Sequence, residues 1–262
     1  MTTRAVFFDL GYTLWHFPEM PPINLIRSET VRRISDLLRT WGIDPEGELF
    51  FLGRDIRIAM ERAIDEAYNG DCISPHFPTI AREAAAAKGL AISEEQAVQL
   101  WHTWNLGGVF LGRTLFPDVI PTLQWFRERG YRIGSVTNRA LGGEPFRQEL
   151  GHYGLLDYFE VLSISCDVGY MKPHAAIFQH ALEALGVAPE ETVMIGDSLR
   201  ADVAGAQVLG MTTVWKRNHH SGDDEERPLT LPTGQGPVVV IPDYTIETLG
   251  ELPGLSIFGG GG

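Results

Sequence analysis

The feature that most constrains the fold is a regular alternation of strand-like and helix-like segments that begins near Phe116. The strand-like segments, in chain order, are YRIGSVTN, EVLSIS, TVMIGD, MTTVW and VVVIPD. The helix-like segments are PDVIPTLQWFRERG, HAAIFQHALEALG and LRADVAGAQVLG. Strands that alternate with helices in this way form a parallel sheet with helices on both faces. The dense apolar run AVFF, at residues 5–8, is typical of a buried strand in such a sheet, so the chain is predicted to have an α/β fold.

A long helical segment separates that first strand from the alternating region. Apolar residues recur at helical spacing in INLIRSETVRRISDLLRTWG, which ends at a glycine stop signal. Further helices are predicted over residues 46–68, 78–88 and 93–105, and Ser93 with Gln96 forms a capping-box pattern in the last of them. Because no convincing strand interrupts these helices, we expect an all-helical insertion in the α/β fold.

These patterns divide the chain into three parts. Residues 1–15 and 115–252 are predicted to form the α/β core, residues 16–114 the helical insertion, and residues 253–262, with their terminal glycines, a flexible tail. Residues 219–237 are polar and rich in glycine and proline, so we predict a loop there.

Composition excludes several function classes. The 262 residues carry 34 acidic and 21 basic side chains, a net charge of −13, which repels nucleic acids and anionic membranes. Any anionic substrate must therefore be held by local positive charge. Cys72 and Cys166 lack the spacing of a metal or redox site and are predicted to be reduced thiols in the core. No run approaches the ~18 apolar residues of a membrane span and no signal peptide is evident, so a cytoplasmic location is expected. The sequence predicts no oligomeric state.

Polar side chains follow several of the strand-like segments directly. They are Asp9 and Thr13 after the first strand, Thr137 and Asn138 after YRIGSV, Lys172 before a helix, Asp197 after TVMIG, and Asp202 on the helix that follows. Taken singly, each has a simpler explanation as a helix cap, a turn residue or solvated surface. Ligands of open α/β sheets bind beyond the carboxyl ends of the strands, however, and all of these residues are predicted at that edge.

The order of four motifs resembles the haloacid dehalogenase superfamily, whose members are mostly phosphatases. The motifs are DLGYT, SVTN, the Lys172-Pro173 pair and GDSLRADVAGA. The resemblance covers residues 4–14 and 115–250 and is most specific in IGDSLRADVAGAQVLGMTTVW. It implies a Rossmann-like core, and it implies that the insertion is a helical cap that closes over the active site and selects a small phosphorylated substrate.

The resemblance also implies a role for each acidic residue. Asp9 would be the nucleophile that attacks phosphorus and forms an aspartyl phosphate, a route that splits one displacement into two. Mg²⁺ would lie between Asp9, the carbonyl oxygen of Gly11 and Asp197, with Asp202 orienting the site. An oxygen-only ligand set suits Mg²⁺, which allows a carboxylate and a phosphate to approach each other.

Three further residues are implied to bind the phosphoryl group or to shape its site. Thr137 would donate a hydrogen bond to the phosphoryl group, and Lys172 would place a positive charge against it. Asn138 either assists in this binding or only caps the turn, and the sequence leaves both roles open.

Gly11 departs from the first motif of the superfamily. Most phosphatases of the superfamily carry a second aspartate two residues after the nucleophile, where it protonates the leaving oxygen and then activates water. A glycine keeps the carbonyl ligand and loses this acid, and general acid–base catalysis is worth ~10²–10⁴-fold. Tyr12, His16 and Glu19 are candidate replacements, although a structural role is the simpler explanation for each.

Three functions remain open at this point. The protein is a phosphatase that is slow or restricted to good leaving groups, a phosphate-binding regulatory protein with negligible turnover, or a dehalogenase, a class that also lacks the second aspartate. Dehalogenases need no metal and usually do not keep an acidic pair such as Asp197 and Asp202, so the dehalogenase is the least favoured of the three.

Other conspicuous side chains are predicted to be structural. Trp101 and Trp104 fall at helical spacing and are expected within the helical insertion or at its contact with the core. Charged faces of amphipathic helices explain Arg27, Arg54 and Arg57 more simply than substrate binding does. The pair at residues 219–220 is expected to be exposed histidine rather than a zinc site.

Overall fold

The structure, a computed structural model, describes residues 2–217 and 239–259. The strands are β1 (Ala5–Phe8), β2 (Trp15–His16), β3 (Thr114–Leu115), β4 (Arg132–Thr137), β5 (Val161–Ile164), β6 (Thr192–Gly196), β7 (Thr212–Lys216) and β8 (Tyr244–Ile246). The α-helices are α1 (Ile23–Thr40), α2 (Leu52–Asn69), α3 (Phe77–Ala86), α4 (Glu94–Trp104), α5 (Gly107–Phe110), α6 (Val119–Glu128), α7 (Gly143–His152), α8 (Ser165–Val168), α9 (Ala175–Leu185) and α10 (Gly205–Gln207). A π-helical turn, Leu199–Ala204, precedes α10.

A six-stranded sheet with the order β5-β4-β1-β6-β7-β8 forms the centre of the fold, and all its pairings are parallel. This confirms the predicted α/β class and the Rossmann-like parallel sheet. β1 is apolar throughout and completely buried, as a strand flanked on both sides by other strands must be. Its last residue, Phe8, pairs with Ser135 of β4 and Ile195 of β6, so the three strands end at one edge of the sheet.

The two faces of the sheet bury alternate residues of each strand, because side chains in a strand point to opposite faces in turn. Val6 and Phe8 pack with the apolar residues of α6 and α7 on one face. Ala5 and Phe7 pack with α9 and α10 on the other face. Helices therefore cover both faces, as the alternation of segments predicts.

The chain between β2 and β3 is helical, and α1 to α4 pack around their own apolar cluster. The predicted capping box of Ser93 and Gln96 is present at the start of α4. Trp101 donates a hydrogen bond of 2.6 Å to the carbonyl oxygen of Ala140, and Trp104 is buried among the insertion helices, which confirms the structural roles predicted for both. A second link joins the two regions, because Met171 N donates to the carbonyl oxygen of Cys72 at 2.7 Å.

Arg57 was predicted to lie on the solvated face of a helix, but it is buried. Its guanidinium is buried inside the insertion, where it donates to Thr30 Oγ1 at 2.8 Å and to the carbonyl oxygen of Trp104 at 3.1 Å. Arg27 and Arg54 are exposed, as expected.

Two other elements depart from the sequence prediction. Helix α7 has no predicted counterpart, because its residues include Gly143, Pro145 and Gly151, which weaken a helical pattern. The last strand was predicted over VVVIPD but lies at Tyr244–Ile246. Pro242 has no N–H to donate, and the Asp243 carboxylate accepts hydrogen bonds from the backbone and hydroxyl of Thr213 where strand pairing would otherwise begin.

Residues 253–259, the described part of the predicted flexible tail, are folded against the core. Ser256–Phe258 form a 3₁₀ turn, and the ring of Phe258 is buried 4.8 Å from that of Phe126. Tyr131 donates to the carbonyl oxygen of Phe258 at 3.0 Å. The aromatic side chain therefore fixes this segment on the core, a contact that the glycine-rich ending conceals. The pair at residues 219–220 and the predicted loop that follows lie outside the described residues.

Both cysteines are free thiols, as predicted; Cys72 lies in the core, whereas Cys166 is only partly buried, which differs from the prediction. None of the helices in the described part of the chain combines the length and apolar character that a bilayer span needs.

Replacement of Phe126 by alanine is expected to lower the free energy of unfolding by about 3–5 kcal/mol, because the ring is fully buried between Phe8 and Phe258. Urea unfolding measures this change. The matched control is Ile58→Ala on the exposed side of α2, which should alter stability by no more than about 0.5 kcal/mol. Equal effects of the two substitutions would contradict the packing described here.

Candidate active site

The end of β1 places Asp9 at the sheet edge. Its backbone N–H donates to the carbonyl oxygen of Ile195 at 2.9 Å, and the residue is only 7% exposed. The chain then turns sharply, with hydrogen bonds from Leu14 N and Trp15 N to the carbonyl oxygen of Leu10. This turn keeps the segment after Asp9 close to the neighbouring strand ends.

Asn138, directly after β4, fixes the position of Lys172. Its amide donates to the carbonyl oxygen of Lys172 at 3.0 Å and accepts from the Lys172 backbone N–H at 2.7 Å. The side chain therefore binds both backbone groups of one residue and holds the loop before α9 against the end of β4. Thr137, the last residue of β4, is buried beside it.

The Lys172 ammonium lies between two carboxylates. Its Nζ donates to Asp9 Oδ1 and Asp202 Oδ1, each at 2.6 Å, and to the carbonyl oxygen of Val136 at 2.7 Å. The residue is 2% exposed. Burial lowers the pKa of Lys172, but the charges of Asp202 and Asp9 and their hydrogen bonds raise it by more. The net shift of the pKa is upward, so the ammonium stays protonated.

Asp197 and Asp202 come from the end of β6 and from the π-helical turn. Asp202 also accepts from the Ser198 backbone N–H at 2.9 Å, while Asp197 accepts from Thr13 Oγ1 at 3.5 Å. Gly196 is required for this approach, because a Cβ at that position would lie 2.2 Å from the carboxyl carbon of Asp202. One carboxylate oxygen from each of Asp9, Asp197 and Asp202 lies within 4.8 Å of the others.

The three carboxylates form a donor set that fits a hard divalent cation. Carboxylate oxygens with space for water are the ligands that Mg²⁺ prefers. Burial raises the pKa of Asp202 to about 6, the nearby charge of Asp9 acts in the same direction, and Lys172 opposes both. A bound cation would favour the ionised carboxyl, so the cost of burying Asp202 is one that a metal can offset.

All seven predicted site residues line one cavity of about 320 Å³. They are Asp9, Gly11, Thr137, Asn138, Lys172, Asp197 and Asp202. Ile64 and Tyr68, from helix α2 of the insertion, line the same cavity. Its volume is at the lower end of the ~300–1,000 Å³ typical of small-molecule sites. The structure therefore brings the residues together, and their chemical roles remain predictions.

Several lining residues have no counterpart in the sequence prediction. Arg139 follows Asn138 directly, so its place after β4 is a signal that points to it. Tyr68 belongs to a helix far away in sequence, and no local pattern marks it. By contrast, Tyr12, His16 and Glu19 do not line the described cavity; His16 stacks on Phe116, with ring centroids 4.4 Å apart, and the carboxylate of Glu19 is exposed.

Comparison with known families agrees with these motifs. A family model described as haloacid dehalogenase-like hydrolase matches residues 3–210. A second, described as HAD-hydrolase-like, matches residues 169–252.

One curated relative and two solved structures illustrate the similarity. Glyceraldehyde 3-phosphate phosphatase of Methanopyrus kandleri is 41% identical over 114 residues, which is 43% of this chain and 47% of that relative. The chain thus spans about half the length of this curated relative. A crystal structure of a HAD phosphatase from Thermococcus onnurineus is 30% identical, with a TM-score of 0.55 and coverage of 98% and 99% of the two chains. A 2-haloacid dehalogenase from Pseudomonas syringae pv. Tomato DC3000 is 25% identical, with a TM-score of 0.61 and coverage of 97% of both.

Replacement of Lys172 by alanine leaves Asp9 and Asp202 buried without their shared cation. In a chelator, we expect the free energy of unfolding to fall by about 3–5 kcal/mol at pH 7. Loss of the ammonium raises the pKa of Asp202 further above its unfolded value, so the folded variant binds protons more readily than the unfolded chain, and its stability should recover as the pH falls towards 5.

The control for this substitution is Lys88→Ala, which removes another lysine that contacts two carboxylates, those of Glu48 and Asp55, at the surface. Its melting temperature should change little at either pH. A Lys172→Ala variant whose loss of stability did not depend on pH would contradict the proposed electrostatic origin.

Proposed function

The chain belongs to the haloacid dehalogenase-like hydrolase family, and from that premise we propose that it is a Mg²⁺-dependent phosphatase acting on a small phosphorylated metabolite. The observation that carries the proposal is the convergence of Asp9, Asp197 and Asp202 around one cavity with the buried ammonium of Lys172. This arrangement holds a carboxylate nucleophile, a cation site and a fixed positive charge within one small volume.

Asp9 is the nucleophile in this proposal. One carboxylate oxygen attacks phosphorus, the bond between phosphorus and the leaving oxygen breaks, and an aspartyl phosphate forms. Water then attacks the aspartyl phosphate, releases inorganic phosphate and restores the carboxylate. The 2.6 Å ion pair with Lys172 holds the Asp9 carboxylate in position for the first step. Thr137 donates to a phosphoryl oxygen, and Asn138 acts by holding Lys172 in place.

Asp9, Asp197 and the carbonyl oxygen of Gly11 would hold Mg²⁺, and Asp202 would orient the site. When bound, the ion would supply positive charge that offsets the repulsion between the Asp9 carboxylate and the phosphoryl group. The net charge of −13 makes this local compensation necessary.

Gly11 determines which esters can be cleaved quickly. It supplies no acid to protonate the leaving oxygen, so we propose that turnover is slow or is restricted to substrates with acidic leaving groups. The position is not closed to a side chain, because a Cβ there would lie 3.9 Å from Asp9 Oδ2, an ordinary contact. The loss of the acid is thus a feature of the sequence and is not imposed by packing.

The helical insertion, residues 16–114, is proposed to be the cap that selects the substrate, with residues 1–15 and 115–252 as the catalytic core. Ile64 and Tyr68 support this assignment, since α2 brings both to the cavity that contains Asp9. A cytoplasmic location is part of the same proposal and is supported by the two free thiols.

A second candidate is 2-haloacid dehalogenation. It is favoured by Gly11 and by the similarity to a solved 2-haloacid dehalogenase. The cluster of three carboxylates favours the phosphatase, because attack on carbon needs no metal and gains nothing from an acidic cation site. Halide release from a 2-haloacid in the presence of a chelator would establish the dehalogenase instead.

Purified protein with Mg²⁺ is expected to hydrolyse p-nitrophenyl phosphate and acetyl phosphate at least about 100-fold faster than an alkyl phosphate, because these leaving groups need little protonation. Asp9→Asn and chelation of Mg²⁺ should each abolish phosphate release. Equal rates on alkyl and aryl esters would contradict the argument from Gly11. Phosphate binding by thermal shift without multiple turnovers would favour the regulatory alternative.

Gly11→Asp should restore the missing acid and raise kcat on an alkyl phosphate by about 10-fold or more, while kcat on p-nitrophenyl phosphate changes less. The matched control, Gly151→Asp, places the same charge at an exposed position of α7 with open space around it. Initial rates on the two esters provide the measurement. An equal gain on both would mean that Gly11→Asp acts through metal binding and not through proton transfer.

A further inference from the structure

Arg139 occupies a fixed position beside the candidate active site. Its backbone N–H donates to Ser165 Oγ at 2.9 Å, and the same hydroxyl donates to its carbonyl oxygen at 3.1 Å. The residue lines the cavity that contains Asp9 and also an adjoining cavity of about 130 Å³, which reaches Phe77 and Ser74 of the insertion. Arg139 thus lies where the phosphoryl site opens towards the helical insertion.

The Arg139 guanidinium forms no ion pair among the described residues, although the more distant charges of Glu149 and Asp9 act on it. Its side chain makes no hydrogen bond or ion pair there, and its Nε is buried without a partner. Glu149, a carboxylate of the same region, is already paired with Arg113 at 3.0 Å. The carbon Cζ of Arg139 lies over the rings of Trp15 and Phe146, at 5.7 and 5.4 Å from their centroids.

The group nevertheless remains charged. Burial, reinforced by the nearby Arg113, lowers the pKa of Arg139 to about 10, which is still well above neutral pH. A cation removed from water is costly when it forms no direct ion pair, and the charges of Glu149 and Asp9, together with the aromatic rings, offset only part of that cost. An anionic group of a bound ligand would form an ion pair with the Arg139 guanidinium and offset the remaining cost of its burial.

Lys172 cannot take this role, because its ammonium is already shared between Asp9 and Asp202 at 2.6 Å each. Lys172 and Arg139 are the lysine and arginine residues that line the cavity among the described residues. In a protein of net charge −13, a second anionic group on the substrate needs a positive partner, and Arg139 is the available one.

We propose that Arg139 binds a carboxylate of the substrate, so that the preferred substrates are phosphate esters or anhydrides of small molecules that also carry a carboxylate. A planar guanidinium matches a planar carboxylate with two parallel hydrogen bonds, and the narrow adjoining cavity suits a group of that size. The proposal rests on the proposed phosphatase function, because it places the phosphoryl group at Asp9.

Non-hydrolysable probes separate this binding from turnover. We would measure the dissociation constants of phosphonoacetate and 3-phosphonopropionate, each against its analogue without the carboxylate, methylphosphonate and ethylphosphonate respectively, by calorimetry with Mg²⁺. The wild-type protein is expected to prefer at least one carboxylated probe by about 10- to 100-fold. Arg139→Gln should reduce that preference to about 1, and Arg139→Lys, which keeps the charge without the planar fork, should leave a reduced preference.

The control is Arg147→Gln, an exposed arginine of α7, which should keep the full preference. If Arg139→Gln does not fold, Arg139→Lys is the test variant. If that variant prefers carboxylated probes as strongly as the wild-type protein does, the proposed bidentate contact is overturned. Equal wild-type affinities for carboxylated and plain probes, or a preference that survives in Arg139→Gln, would overturn the proposal.

The same preparations would be assayed with p-nitrophenyl phosphate, which reports the proposed function separately. Hydrolysis of this ester together with equal binding of all probes overturns the carboxylate site alone. Absence of both hydrolysis and probe binding contradicts the phosphatase proposal, and the carboxylate site with it.

Discussion

The buried ion pair of Lys172 with Asp9 and Asp202 is the interaction on which the rest of the site depends. Two carboxylates that are almost inaccessible to water would repel each other, and the ammonium at 2.6 Å from each compensates both negative charges. The three residues come from the end of β1, the loop before α9 and the turn after β6. Their convergence follows from the central place of β1 between β4 and β6, which ends all three strands at one edge.

In this acidic protein, the negative charges around the cavity are therefore offset by positive charges in the same place. Lys172 offsets Asp9 and Asp202, the carboxylate cluster favours a divalent cation, and Arg139 supplies a further positive charge at the side that faces the insertion. In the proposed function, this division of charge would separate two tasks. The core edge would carry out the phosphoryl chemistry, and the residues at the boundary with the insertion would select the substrate.

Much of this arrangement could be predicted from the sequence, since the carboxyl ends of parallel strands lie together and polar residues directly after strands must meet there. That rule places Asp9, Thr137 and Asp197 at one edge without coordinates. It fails where local signals are weak or misleading. The glycines and the proline of α7 weaken its helical pattern, so the sequence does not predict that helix. The last strand begins later than predicted because the Asp243 carboxylate accepts the hydrogen bond of the Thr213 backbone N–H at the edge of β7.

The sequence by itself determined the sheet, the buried apolar strands and the set of residues at the strand ends, because strand periodicity and motif order are local properties of the chain. Only the tertiary structure decided which charges are paired. Asn138 binds the backbone of Lys172 and Tyr68 reaches the cavity from α2, while Arg139 forms no ion pair among the described residues. These outcomes depend on distances between segments far apart in sequence, and such distances are set by how the helices pack against the sheet.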